Sequence, residues 1–431
     1  MSSTIETTAP SSAARVAPGP DNGSPTYAEL AAKYRPAFES IAAGAAGRET
    51  DRVLLHEQIG ELAAAGFGAA RVPREFGGDG ATAVQLFRLL IELAAAESNL
   101  AQALRSHIAF VEGRLYANDA EWLRRVGEGQ ILGNAWTETG AVTVGGVGTT
   151  IEPDGGNFRV NGTKYYTTGS LYADWIQTGA RTADGRDIIA LVRADAPGVT
   201  IHDDWDGFGQ RLTASGTAVF ENVAVPASDI LVETEQAPYA TGVYQLIHVA
   251  TLAGITQRVV RDVSEAVRER TRVFSHGNGV RPSEDIQIQQ IVGEIAAQAF
   301  AAEAATLRVA ELLQEAFDLR PGIRTDGTAA TASDAAPPAA GASAFEEAVL
   351  QVEFGSSQAQ IVVTDLAQRA SSSLFDALGA SATQSELQLD RHWRNARVIS
   401  SHNPVVYKSR VVGDWKINGS VPEFVWRSGT A

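Results

Sequence analysis

A chain of 431 residues is long enough for more than one structural unit and a large buried core. Its 44% hydrophobic and 20% charged residues are ordinary soluble values, and no apolar run approaches the roughly 20 residues of a membrane helix. A formal net charge of -16 sets the average surface against nucleic-acid phosphate, and the absence of cysteine excludes disulfides, thiolate metal sites, Fe–S ligation and a cysteine nucleophile.

The opening MSSTIETTAPSSAARVAPGPDNGSP lacks the basic start and apolar segment of a secretory signal. Its Ser, Thr, Ala and Pro content predicts a disordered tail over residues 1–27, and the cytoplasm is the expected location. From Tyr27 onward apolar residues recur at helical spacing, as at Leu86, Leu89, Leu90 and Leu93, which predicts helices over 28–133. The character then changes. In EPDGGNFRVNGTKYYTTG, Asp154-Gly155 and Asn161-Gly162 sit among short alternating runs and read as hairpin signals, with a hydroxyl arm following the second. Strands are predicted at WIQTGA, DIIALVRA, GVTIHD and TAVFENVAV, giving a β domain over 134–232. Residues 233–431 return to helix, with long runs in VYQLIHVATLAGITQRVVRDVSEAVRERTRVF and IQQIVGEIAAQAFAAEAATLRVAELLQEAF that favour a bundle. A stretch at about 320–345, rich in small and breaker residues, reads as a mobile loop before the last long helix.

Standard site signatures are missing. GFGAAR at Gly66 lacks the third glycine and the preceding strand of a dinucleotide fingerprint, and GGVGTT at Gly145 lacks the phosphate-binding lysine of a P-loop. HEQIG at His56 has no second histidine four residues on, so no metal site is expected, and no G-x-S-x-G elbow occurs.

Six segments taken in order carry a resemblance: AGFGAARVPREFGG, NAWTETG, VNGTKYYTTGSLYADW, DDWDGFGQRLTASGTAVFENVAVP, RTRVFSHG and LDRHWRNAR. Together they resemble the acyl-CoA dehydrogenase superfamily across nearly the whole chain after the tail. TKYYTTGSLYADW, DWDGFGQR and RNARVISSHNPVVYK resemble its flavin-dependent monooxygenase branch. The resemblance implies an α+β, mainly α fold with an N-terminal helical domain, a central β-barrel-like domain and a C-terminal four-helix bundle, assembled as a homotetramer.

By the same resemblance Asn134, Thr137 and Thr168 contact a flavin ring, the Thr168 hydroxyl near N5, and Arg272 reaches a cofactor phosphate, often a neighbouring subunit's. A guanidinium suits that dianion. His107 and His402 fall at positions resembling the branch's catalytic histidines, where a neutral imidazole donates or exchanges a proton. Trp205 borders the substrate cavity, and its indole suits an aromatic substrate. Arg211, Thr213 and Ser215 follow it and fit either branch, while His392 reads as structural. Asn403 falls where a dehydrogenase carries its base glutamate and is expected to contact the substrate, and no Asp or Glu occurs from Gln236 to Arg261, the other base position. An amide abstracts no α-proton.

The implied reaction is oxygenation of a small, apolar or aromatic sulfur or nitrogen compound by O2 and reduced FMN through a C4a-(hydro)peroxide. A separate NAD(P)H:flavin reductase would supply the reduced FMN; FAD is the alternative cofactor. Two other readings stand beside it: an FAD-dependent acyl-CoA dehydrogenase or oxidase with a displaced base, and a non-catalytic helical scaffold. Neither a nucleic acid nor a membrane is expected as a partner.

Overall fold

The computed structural model describes residues 24–138, 147–232, 236–321 and 343–424. Thr26 opens the first helix, α1 (Tyr27–Ala43), with a capping box in which its hydroxyl takes the Glu29 amide and the Glu29 side chain returns to the Thr26 amide. The predicted tail lies outside the described residues except for its last four, and helix therefore begins at Tyr27. There follow α2 (Ala45–Asp51), α3 (His56–Ala65), α4 (Ala83–Ala96), α5 (Ser98–Ala103), α6 (Arg105–Ala117) and α7 (Ala120–Gly127). The Leu86, Leu89, Leu90 and Leu93 stripe of α4 is buried, as its spacing predicts.

The strands are β1 (Leu132–Ala135), β2 (Thr150–Asp154), β3 (Asn157–Lys164), β4 (Trp175–Thr182), β5 (Asp187–Arg193), β6 (Val199–Ile201), β7 (Ala218–Val225) and β8 (Ile230–Val232). Among the described residues they form one sheet in the order β6-β7-β3-β2-β4-β5-β8, with β1 laid parallel to β4. Strand β5 is buried on both faces: Ile189 and Leu191 join a cluster with Phe110, Trp122 and Trp175 under the helices, while Ile188, Ala190 and Val192 join Ile176, Phe220 and Val223 on the other side.

One hairpin signal holds and the other is corrected. Asp154-Gly155 turns β2 into β3, whereas Asn161 and Gly162 lie inside β3, at a bulge in its pairing with β7. A bulge uses the same turn-forming residues to kink a strand that continues. The hydroxyl run beyond it is not a strand: it forms a loop leading into a short 3-10 turn at Ser170–Tyr172.

Three long helices follow, α8 (Ala240–Glu269), α9 (Ile286–Asp318) and α10 (Ala344–Leu378), then α11 (Arg391–Ser401) and α12 (Val405–Asn418). Helices α8, α9 and α10 pack on one another, and α4 packs on α8 and α9, so the first helical block and the bundle share one core. The predicted mobile loop falls on residues 322–342, outside the described residues. No described helix is long and apolar enough to cross a membrane.

Gly254 of α8 is where the α4 and α8 backbones meet: a Cβ there would stand 2.5 Å from the Ile91 carbonyl oxygen. Overpacking of this kind costs about 1–3 kcal/mol. Gly254→Ala is expected to lower the urea midpoint by a matching amount with the m-value unchanged; an unaltered midpoint would refute the close approach.

Candidate active site

The site begins at the sheet. Strand β1 pairs with β4 through Asn134 opposite Gln177, and beyond it Thr137 bridges Tyr165, whose amide donates to the Thr137 carbonyl at 2.8 Å. Buried Lys164 fixes this end by donating to the Trp136 carbonyl at 3.3 Å and pairing with Glu138. The Tyr166–Ser170 loop is held on both sides. Ser170 Oγ donates to the Asn134 carbonyl at 3.0 Å, the Thr167 amide to Gly216 at 3.1 Å, and the Gly169 amide to Thr213 at 2.9 Å. Gly169 (φ 80°) has no room for a Cβ, which would collide with the Ala103 carbonyl. Tyr166, Gln210 and Ala214 adopt positive φ without being glycine, and such strain persists where surroundings over-determine the backbone, as at functional sites.

Hydroxyl protons can be counted along this loop. Thr213 Oγ1 donates to the Gln210 carbonyl at 2.9 Å and lies 2.7 Å from Ser215 Oγ, which lies 2.8 Å from Thr168 Oγ1. With the Thr213 hydrogen spent on the carbonyl, Ser215 donates to Thr213 and Thr168 donates to Ser215. Thr168 is thereby left with lone pairs alone. Asn134, also buried, keeps Oδ1 without a partner. Nearby in the chain, Trp136 (37% exposed) and Tyr166 (45%) are large apolar side chains left partly open. Trp205 packs its ring edge on Tyr166 at 5.8 Å, with its indole N–H donating to Gln210 at 3.0 Å.

A second wall comes from the helices. Tyr244 of α8 lies under the Arg105 guanidinium, 5.0 Å from ring centre to Arg105 Cζ. Arg105 begins α6, two residues past the Ala103 that abuts Gly169. Its Nη2 is 3.4 Å from His402 Nε2, and since arginine only donates, that nitrogen accepts and the His402 proton sits on Nδ1. The His402 ring lies 4.6 Å from that of buried His248. Loss of hydration, then the Arg105 charge, holds His402 below its ordinary pKa although its surface remains open; burial, then the neighbouring His402 and Arg105, takes His248 well below. Both imidazoles are neutral at pH 7.

The structure thus brings together Asn134, Thr137, Thr168 and Trp205 on the sheet side and His402 on the helical side. Three further residues stand elsewhere within the chain. His107 points away: Nε2 bonds the Gly68 carbonyl at 2.9 Å and Nδ1 accepts the Leu132 amide at 3.3 Å, so a fully buried ring with both nitrogens engaged joins α6 to β1 and has nothing left for a substrate. Asn403 spends Nδ2 on Gln245 Oε1 at 3.1 Å and accepts Gln360 Nε2 on its carbonyl at 3.3 Å, which makes it a brace between α8 and α10 rather than a substrate contact. Arg272 lies exposed on the segment between α8 and α9. His392 is structural as expected, bonded to Asp262 at 2.7 Å.

The sequence reading missed Arg105, Tyr244, His248 and Glu353. The first three had a faint signal: Arg105 is a charged residue two positions before His107, and Tyr244 and His248 share one face at i, i+4 in a stretch free of acids. Glu353 of α10 had none. It accepts the Gly242 amide at 2.7 Å, and burial pushes its carboxyl up to about 7.

Comparison with known proteins matches these features. The acyl-CoA dehydrogenase middle-domain model matches residues 133–223 and the acyl-CoA dehydrogenase C-terminal-domain model residues 246–407. Dibenzothiophene monooxygenase of Rhodococcus qingshengii is 28% identical over 393 residues, 84% of this chain and 87% of that protein. A probable FMNH2-dependent monooxygenase of Pseudomonas putida is 25% identical over 81% of this chain and 85% of its own. TdsC of Paenibacillus sp. A11-2, solved with FMN and indole, aligns with TM-score 0.78 at 26% identity over 91% of this chain and 98% of that chain. Methanesulfinate monooxygenase of Pseudomonas fluorescens shares the fold at TM-score 0.78 and 24% identity, with 91% and 98% covered. The chain belongs to the acyl-CoA dehydrogenase superfamily. The two curated relatives named above are monooxygenases.

Burial holds His107 at about 4, below the ordinary value near 6.5. Between those limits the unfolded chain takes a proton that the native ring refuses, so stability is full above pH 6.5 and falls as pH drops towards 4. The linked loss from His107 is roughly 2 kcal/mol between pH 7 and pH 5. His107→Gln is expected to be less stable than the parent at pH 7 but to lose less on acidification; parallel urea midpoints for both proteins would contradict the buried neutral ring.

Proposed function

We propose that the protein is a two-component monooxygenase that takes reduced FMN from a separate NAD(P)H:flavin reductase and uses O2 to oxygenate a small organic sulfur or nitrogen compound, by the C4a-(hydro)peroxide route. Bound reduced FMN supplies the activation of oxygen; the chain supplies the rest. The residues present fit such a ring. Asn134 Oδ1 is a buried acceptor without a partner, Thr168 Oγ1 is a second acceptor whose hydrogen is already committed, and Trp136 and Tyr166 are partly exposed aromatic residues of the same segments. Reduced flavin carries a hydrogen on N5 where oxidised flavin carries a lone pair, so an acceptor at Thr168 favours the reduced form. His402 would stand over the reacting region as a neutral donor through Nδ1, and Trp205 would border the substrate space.

One observation carries the choice between branches. Among the described residues no carboxylate takes part in the contacts of Arg105, Tyr244, His248 and His402, and Asn403 and Gln245 bond each other as amides. α-Proton abstraction needs a base, and none faces this wall. Glu353 is the one observation that favours a dehydrogenase, since a carboxyl near 7 is poised for proton transfer, but its oxygen is engaged by the α8 backbone inside the bundle. We further take the chain as three units, 28–133, 134–232 and 233–431, in a homotetramer in which Arg272 reaches the FMN phosphate of a neighbouring subunit.

Reduced FMN should bind more tightly than oxidised FMN. With reductase, NAD(P)H and O2, a panel of sulfur and nitrogen compounds should yield an oxygenated product. Free peroxide alone, or anaerobic bleaching of the flavin by acyl-CoAs, would reject the reading. Thr168→Val should weaken reduced FMN by about tenfold, the value of one hydrogen bond, with a smaller effect on oxidised FMN; equal losses would remove the acceptor assignment. Arg272→Ala should weaken FMN but not riboflavin in the same titration, and a mutant indifferent to the phosphate would take Arg272 out of the site.

A further inference from the structure

The helical wall holds a cation without a counterion. Arg105 is 7% exposed, its Nε is buried and unpartnered, and among the described residues no carboxylate pairs with it. Its nearest polar contact is the His402 Nε2 at 3.4 Å, and its charge rests 5.0 Å from the Tyr244 ring centre. Stacking on one ring offsets only part of the hydration a guanidinium loses on burial. A second side chain in the same place is also unsatisfied: His248, 1% exposed, has neither ring nitrogen bonded. Around the guanidinium, α8 contributes Tyr244 and His248 and the end of α11 contributes His402, none of them an anion. The next charge, Lys408, is a cation facing Glu353.

Buried charges are tolerated when an opposite charge and hydrogen bonds complete them. A guanidinium offers five donors in a planar fork that matches an oxyanion in two parallel bonds, and a neutral imidazole adds a further donor. A wall of this composition is poorly matched to an apolar heterocycle, which would cover Arg105 without replacing its water.

We propose that Arg105, with His248 beside it, recognises an oxyanion on the organic substrate, so that the substrate class is a small carboxylate or sulfur oxyacid anion rather than the apolar compound the sequence suggests. The inference rests on the monooxygenase reading for the reaction performed, but its binding chemistry stands on Arg105 and His248 alone.

Equilibrium binding to the FMN-loaded protein tests it with matched probes: benzoate against benzamide, and benzenesulfinate against methyl phenyl sulfone. At least one anion is expected to bind roughly tenfold or more tightly than its neutral partner, and Arg105→Gln to weaken that anion by roughly 10–100-fold with the neutral probe unchanged. The two pairs tell carboxylate from sulfur oxyanion. Equal affinity for anion and neutral partner in both pairs would overturn the proposal, as would an Arg105→Gln variant that binds the anion like the parent. So would anion binding seen only without FMN, which would assign Arg105 to the cofactor phosphate. If Arg105→Gln does not fold, the contrast within each pair on the parent protein decides, with His248→Phe expected to reduce it. Flavin titration is read separately. Failure to bind FMN with the anion preference intact would sink the monooxygenase reading and leave the oxyanion site standing, whereas flavin binding without the preference would do the reverse.

Discussion

Burial of the first half of α8 is the constraint on which the site depends. From Gly242 to Thr256 only Tyr244 retains partial exposure, so each polar group on this stretch must find a partner inside the protein or be left for a ligand. The partners come from every side: Arg105 of α6 over Tyr244, Asn403 for Gln245, Glu353 of α10 for the Gly242 amide, and the ring of His402 against His248. One enclosed helix thereby ties α6, the α11–α12 junction and α10 into one wall, and His248 is the group left over.

The second constraint is proton bookkeeping. Thr213, Ser215 and Thr168 pass their hydrogens in one direction towards the Gln210 carbonyl, and Arg105 can only donate to His402. Donor and acceptor roles are therefore set before any ligand arrives: Thr168 and Asn134 accept, Arg105 and the Nδ1 of His402 donate. Preorganised polar groups of this kind cost no rearrangement at the moment of reaction. Their neutrality, apart from Arg105, separates this site from one designed to remove a proton from carbon.

Much of this was legible in the sequence, for physical reasons that differ by element. The long helices were readable because their apolar period runs over many turns, and β4, β5 and β7 because their alternation or continuous apolar runs match a sheet covered on one face or both. Asn161-Gly162 misled because a bulge and a hairpin draw on the same residues, and only the pairing of β3 with β7 tells them apart. Asn134, Thr137 and Thr168 were put forward because they lie in short motifs, close along the chain, that carry the family resemblance. Arg105, Tyr244 and His248 were missed because Arg105, the α8 pair and His402 lie far apart along the chain and meet one another only in three dimensions. His107 was misjudged because sequence shows an imidazole but not that Gly68 and Leu132 use both its nitrogens.

The central claim is that a wall of neutral donors and acceptors, with no carboxylate facing it, places oxygen on a substrate. A single turnover under isotopically labelled dioxygen, with reduced FMN bound and the reductase removed, tests it most directly. The account predicts product carrying one labelled oxygen atom for each flavin oxidised. Unlabelled product, or flavin reduced by a substrate that merely loses hydrogen, would contradict it.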